Sequence, residues 1–225
     1  MGPRVRTATL SGFAGLATSL GLDPAAVLAD EGLDIADLDA PDRWVPAPAV
    51  ARLLETCAQQ SGCEDFGLRL AELRGLGTLG PLSVALRDQP DLQHALQLLT
   101  RYEHAYNEAL HLRLTQDEGQ ATIAVWLEFG EPAPLDQARD LVMAALIGII
   151  RALIGDWVPR SAHFARSAPV DPTTFHRVFG PRIVFGDEFT GLLLPARELE
   201  MPVLIADPTV RREVIGIEAG GAGHG

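Results

Sequence analysis

Near residue 108 the chain changes its hydrophobic period, and that switch limits the possible folds more than any other feature. Leu92, Ala95, Leu96, Leu99, Tyr102 and Tyr106 recur at helical spacing, which predicts a helix running to about Asn107. From Leu110 the period drops to two. Leu110, Leu112 and Leu114 alternate with His111, Arg113 and Thr115, and after a turn at 116–120 a second run places Ala121, Ile123, Val125, Leu127 and Phe129 on one face. This pattern predicts an antiparallel hairpin. Its other face carries Trp126, with His111 and Arg113 on the partner strand, so that face is either covered by another element or lines a cavity.

The segments before the hairpin read as helices. Residues 7–20 carry Leu10, Phe13, Ala14, Ala17 and Leu20 at helical spacing, and Gly21 stops the run. Asp23 caps and Pro24 opens a short helix ending by Gly32. A loop is expected over 33–46, then a helix from Pro48 to Gly62 and another over 66–72 capped by Asp65. The glycines between Gly75 and Gly80 favour close backbone approach or positive φ over helix, with a short helix following at 82–86.

Beyond the hairpin, 135–154 is the most apolar helix of the chain. A strand near 162–165, a helix from Pro172 through Phe179, and strands at 183–185 and 189–194 follow. The whole predicts an α/β (α+β) fold: a small mixed sheet flanked by helices, with a helical subregion over 7–60 that no long polar linker separates from the rest.

The chain has 225 residues, 47% of them hydrophobic, enough to bury one large core without staples. Eighteen basic against thirty acidic residues leave a formal net charge of -12, and no basic stripe is long enough to follow a phosphate backbone. Cys57 and Cys63 read as free thiols of a reducing compartment. The N-terminus lacks a signal-peptide pattern and the longest apolar run, 141–154, is too short to span a bilayer, so a cytoplasmic protein is expected. The six histidines show no metal-ligand spacing, and Ser83, Ser161 and Ser167 lack a nucleophile-elbow context. Carboxylate pairs such as Asp136 with Asp140, or Glu198 with Glu200, suit ordinary surfaces. Neither catalysis nor a cofactor is expected.

Two stretches, 61–110 and 153–195, together with 206–214, resemble the N-terminal effector-binding, arabinose-binding-like domain of AraC-family bacterial transcription regulators. The resemblance rests on Gly62, Phe66, Gly67, Leu68, Leu70, Gly75, Gly77, Gly80, Leu82, Leu86, Ala95, Leu96, Leu99 and Tyr102. It continues through Trp157, Pro159, Phe164, Pro169, Phe175, Phe179, Gly180, Val184, Phe185, Phe189, Leu193 and Pro195.

The resemblance implies a domain over 1–214 that senses a small organic effector and dimerises, followed by a Gly-rich tail at 215–225. In such regulators a helix-turn-helix DNA-binding domain follows the sensor and is expected to lie outside this chain, so nucleic acid would be met only through that other part. The effector is expected between the hairpin and the helices, with Trp126 as an apolar wall, Arg113 as a polar or charged partner, and Tyr102 and Tyr106 as a hydroxyl-bearing rim. Half-buried packing roles compete for each of these four residues. Apolar Met143, Ile147, Ile150 and Ile154 widen the hydrophobic circumference of 135–154 and suggest a homodimer contact, with cover from within the chain as the competitor. A protein-interaction module with no small-molecule ligand is the alternative reading.

Overall fold

A computed structural model describes residues 2–204. The segment 206–214 and the expected tail at 215–225 lie outside the described residues.

The N-terminal part differs from a run of helices in two places. Residues 7–20 divide into a 3-10 turn at Thr7–Leu10 and helix α1 at Phe13–Ser19, because Gly12 between them takes a left-handed φ of +84°. The expected loop at 33–46 contains a 3-10 turn at Ile35–Asp39 and strand β2 (Trp44–Pro46), which pairs antiparallel with β1 (Arg4–Arg6). Three-residue strands are too short to show a period, which is why alternation did not reveal them.

Helix α2 (Pro24–Asp30) starts as its sequence predicts, with the Asp23 carboxylate accepting from the amides of Ala25 and Ala26. Helix α3 (Ala47–Ser61) runs to Gly62 at φ +67°, and α4 (Phe66–Glu72) follows. Asp65 makes no cap there. Its carboxylate instead accepts from Arg69 Nε at 2.9 Å and from the Cys63 thiol at 3.0 Å. A 3-10 turn at Leu76–Leu79 leads through Gly80, at φ +52°, into α5 (Pro81–Arg87). Helix α6 (Leu92–Tyr102), capped by Asp91 onto the His94 amide, ends earlier than expected and tightens into a 3-10 turn at Glu103–Ala105.

The hairpin is β3 (Leu110–Asp117) and β4 (Gln120–Leu127), in register from Leu110 opposite Leu127 to Asp117 opposite Gln120. Glu118 and Gly119 between them have φ of +45° and +79°, the paired positive values of a tight hairpin turn whose twist matches its strands. After helix α7 (Asp136–Ile154) come β5 (Ser161–Phe164), α8 (Thr173–Phe179), β6 (Ile183–Phe185) and β7 (Thr190–Pro195). The main sheet is five-stranded and mixed, in the order β3-β4-β7-β5-β6, with β5 and β6 parallel and the other neighbours antiparallel.

Helix α7 lies at the centre of the molecule, packed against α3, α4, α6, α8 and strand β4. Met143, Ile147, Ile150 and Ile154 are all buried within the single chain, so the expected apolar dimer face on this helix is not there. The main cover is α4, not the 7–20 segment. Close approach is possible because Gly67 has no side chain: a Cβ at that position would fall 2.2 Å from the Gln137 carbonyl oxygen. Arg151, which interrupts the apolar run, spends its charge at the C-terminal end of α7, donating to the carbonyls of Trp157 (2.8 Å) and Val178 (2.9 Å).

Candidate functional site

Between the core face of the hairpin and the helices lies a cavity of about 110 Å³. Strand alternation turns Leu110, Leu112, Leu127 and Phe129 into it, while α3 contributes Val50 and Leu54 and α6 contributes Leu99. Leu141, Ala145, Leu146 and Ile149 of α7 close the far side. The wall is therefore mostly aliphatic. Five polar residues also reach it: Thr9, Arg74, Glu103, Tyr106 and Asn107.

Two of these are ionisable groups in an environment that disfavours charge. Arg74 follows the end of α4 and precedes the 3-10 turn at Leu76–Leu79. The residue is half-buried, and its Nε is sealed from solvent and has no hydrogen-bond partner. Burial lowers its pKa from 12.5 to about 10. Glu103 opens the 3-10 turn after α6, and its carboxylate accepts from the Leu112 amide at 2.8 Å. Burial outweighs that hydrogen bond and raises its pKa from 4.5 to about 7. Arg74 and Glu103 both line the cavity but form no ion pair with each other.

The four residues singled out in the sequence are not brought together. Tyr106 lines the cavity, half-buried, with the Arg6 guanidinium 4.8 Å from its ring centre. Tyr102, Arg113 and Trp126 are exposed and do not line it. On the outer face of the hairpin His111 stacks on Trp126 at 5.4 Å and the Arg113 guanidinium lies 5.4 Å over the same ring. This ladder is neither covered nor concave. Arg113 also borders a shallow groove with Gln97, Thr100 and Arg101. The hairpin does wall a cavity, but with its core face: odd and even positions face opposite ways, and Arg113 and Trp126 sit on the solvent side. Arg74 and Glu103 escaped notice because a lone charge at a helix end usually meets water; only the flanking Leu73 and Leu76 hinted otherwise.

A second, polar cavity of about 640 Å³ lies between α3, α4 and α7, bordered by Glu55, Asp65, Arg69, Gln137 and Arg166. Beside it Asp140 is fully buried and accepts a hydrogen bond from Arg166, while its Oδ1 has no partner; burial raises its pKa to about 7. Elsewhere Ser161 Oγ, His163 and Asp187 form a chain, with 2.9 Å at Nε2 and 2.6 Å at Nδ1. The order matches a hydrolase triad, yet the three residues line neither of the two cavities nor the groove, and His163 is stacked on Phe189 at 5.0 Å. The contacts tie the turn before β7 to β5. Both thiols are buried, with pKa values raised to about 12 for Cys57 and about 11 for Cys63, which leaves them unreactive as nucleophiles. Among the described residues no group of three His, Cys, Asp or Glu side chains could hold a metal ion, and no helix is long and apolar enough to cross a membrane.

Residues 21–203 match the family described as the arabinose-binding domain of AraC transcription regulators, N-terminal. The chain belongs to that family. It is 30% identical over 216 residues to the HTH-type transcriptional regulator VirS of Mycobacterium tuberculosis, covering 94% of this chain and 63% of that protein. It is 26% identical over 156 residues to the ornithine utilization regulator of Pseudomonas aeruginosa, covering 68% of this chain and 46% of the relative. The chain thus spans less than two thirds of the length of these relatives. The crystal structure of the transcriptional regulator CdpR from Pseudomonas aeruginosa has the same fold, with a TM-score of 0.59 at 16% identity over 85% of this chain and 59% of that one. The family is a domain of transcription regulators, and these relatives are named as regulators.

Proposed function

We propose that this domain senses a small organic effector in the cavity between the hairpin and helices α3, α6 and α7, and that occupancy is relayed to a DNA-binding domain of the same regulator. What carries the reading is the cavity itself: an aliphatic chamber with two desolvated ionisable groups in a chain of this family. Its walls come from elements distant in sequence, so a ligand touching β3, β4 and α7 together couples the sheet to the central helix.

The regulator works as a homodimer in this reading, pairing through a surface other than the buried face of α7. Light scattering at high micromolar concentration tests the pairing: the mass of one subunit would remove it.

The sensing claim is tested by thermal shift against a panel of small organic acids, alcohols and amines, on the wild-type chain and on Ala145→Trp, whose indole fills the cavity. A ligand present at a hundred times its Kd should stabilise the native state by about 2.7 kcal/mol. Stabilisation of the wild type and its loss in Ala145→Trp is expected. A ligand that stabilises both equally binds elsewhere and would contradict the assignment.

A further inference from the structure

We propose that the effector is a small apolar monocarboxylic acid, its carboxylate held by the Arg74 guanidinium and its hydrocarbon body lying among Leu112, Leu127, Leu141 and Leu146. The inference rests on the sensing reading above and names the chemical class of its ligand.

The first argument is the unpaired cation. A guanidinium presents donors in a planar fork suited to a carboxylate, and leaving a buried one without a partner is unfavourable. Arg74 lines the cavity, its Nε is buried without a partner, and neither an ion pair nor a side-chain hydrogen bond holds it. A carboxylate entering the cavity supplies the missing acceptor where few water molecules compete.

The second argument separates a monocarboxylate from a zwitterion. Glu103 also faces the cavity, which at first suggests a ligand ammonium. However, Glu103 already accepts from the Leu112 amide, and with its pKa near 7 it can lose its charge by taking a proton. Arg74 cannot shed its charge at neutral pH. Only the cation therefore needs a counter-ion from outside.

Size and lining complete the class. The cavity holds about 110 Å³, and in other proteins an apolar cavity of about 150 Å³ takes benzene. The smaller volume limits the hydrocarbon body to a short alkyl chain or, at most, a single ring.

The experiment is calorimetric titration of the full chain with two matched sets: phenylacetate, 2-phenylethanol and L-phenylalanine; hexanoate and 1-hexanol. The acids should bind at least about tenfold more tightly than the alcohols, and Arg74→Gln should remove that preference while leaving alcohol binding in place. A second readout needs no variant: the carboxyl pKa of bound ¹³C-labelled phenylacetate, followed by NMR, should lie below that of the free acid. Equal binding of acid and alcohol, an unshifted or raised carboxyl pKa, or phenylalanine binding as tightly as phenylacetate would each overturn the inference while the cavity stayed a sensor. If no member of either set bound and Ala145→Trp changed the response to no panel compound, the sensing reading would fall with it.

Discussion

The Gly67 amide donates to the Gln137 side-chain oxygen at 2.8 Å, and the same Gln137 presents the backbone carbonyl that leaves no room for a methyl on Gly67. This one contact sets how closely α4 can cover α7. The Gly67 amide lies in the first turn of α4, where a helix offers no acceptor of its own. Gly67→Ala should therefore destabilise the fold by about 1–3 kcal/mol through overpacking, and Gln137→Ala by about 1–3 kcal/mol through the unpaired buried amide. Urea unfolding monitored by circular dichroism measures both.

Glu103 makes stability depend on pH. Its folded pKa of about 7 lies above the ordinary 4.5, so between these values the folded chain holds a proton that the unfolded chain has lost. Stability from this group is full below about pH 4.5 and declines as pH rises to about 7. Asp140, also raised, acts with the same sign. Glu103→Gln should flatten part of the decline between about pH 4.5 and 7 in urea midpoints. An unchanged slope would show that Glu103 is ionised in the folded state throughout.

Arg166 pairs with the fully buried Asp140 and lies 5.6 Å over the ring of Phe175. Arg166→Ala should destabilise by about 3–5 kcal/mol near pH 8, because it leaves a buried carboxylate uncompensated. The loss should shrink in acid, where Asp140 can take a proton. Thermal melts at the two pH values make the comparison.

The outer ladder should be separable from the sensor cavity. Trp126→Ala and Arg113→Ala remove exposed groups, so each should change stability by about 0.5 kcal/mol or less and leave phenylacetate affinity within about twofold. Ile147→Asp behaves differently: its side chain is buried in the monomer, and the variant should fail to fold. Calorimetry and a circular-dichroism spectrum distinguish these outcomes.

The fold was legible wherever a period persisted. The hairpin spans 110–127 and α7 spans 136–154, long enough for alternation and helical spacing to declare themselves. The three-residue strands β1 and β2 were not legible, because their pairing joins Arg4–Arg6 to residues some forty positions away. Sheet order was hidden for the same reason: β7 inserts between β4 and β5 through contacts the local sequence does not encode. The site was half legible. The hairpin wall and Tyr106 could be read from pattern, whereas Arg74 became visible only when folding buried it beside the aliphatic face of α7. A tertiary environment that seals the Nε of a helix-end arginine away from any partner leaves little mark in the sequence around it beyond the neighbouring Leu73 and Leu76.

The proposed effector site is the cavity behind the hairpin. It is tested most directly by the anomalous signal of bromine in a crystal of the chain grown with 4-bromophenylacetate. The expected result is one strong peak between Leu127 and Leu146, with the carboxylate density against Arg74. A peak confined to the exposed groove beside Arg101 and Arg113, with the cavity free of ligand density, would contradict it.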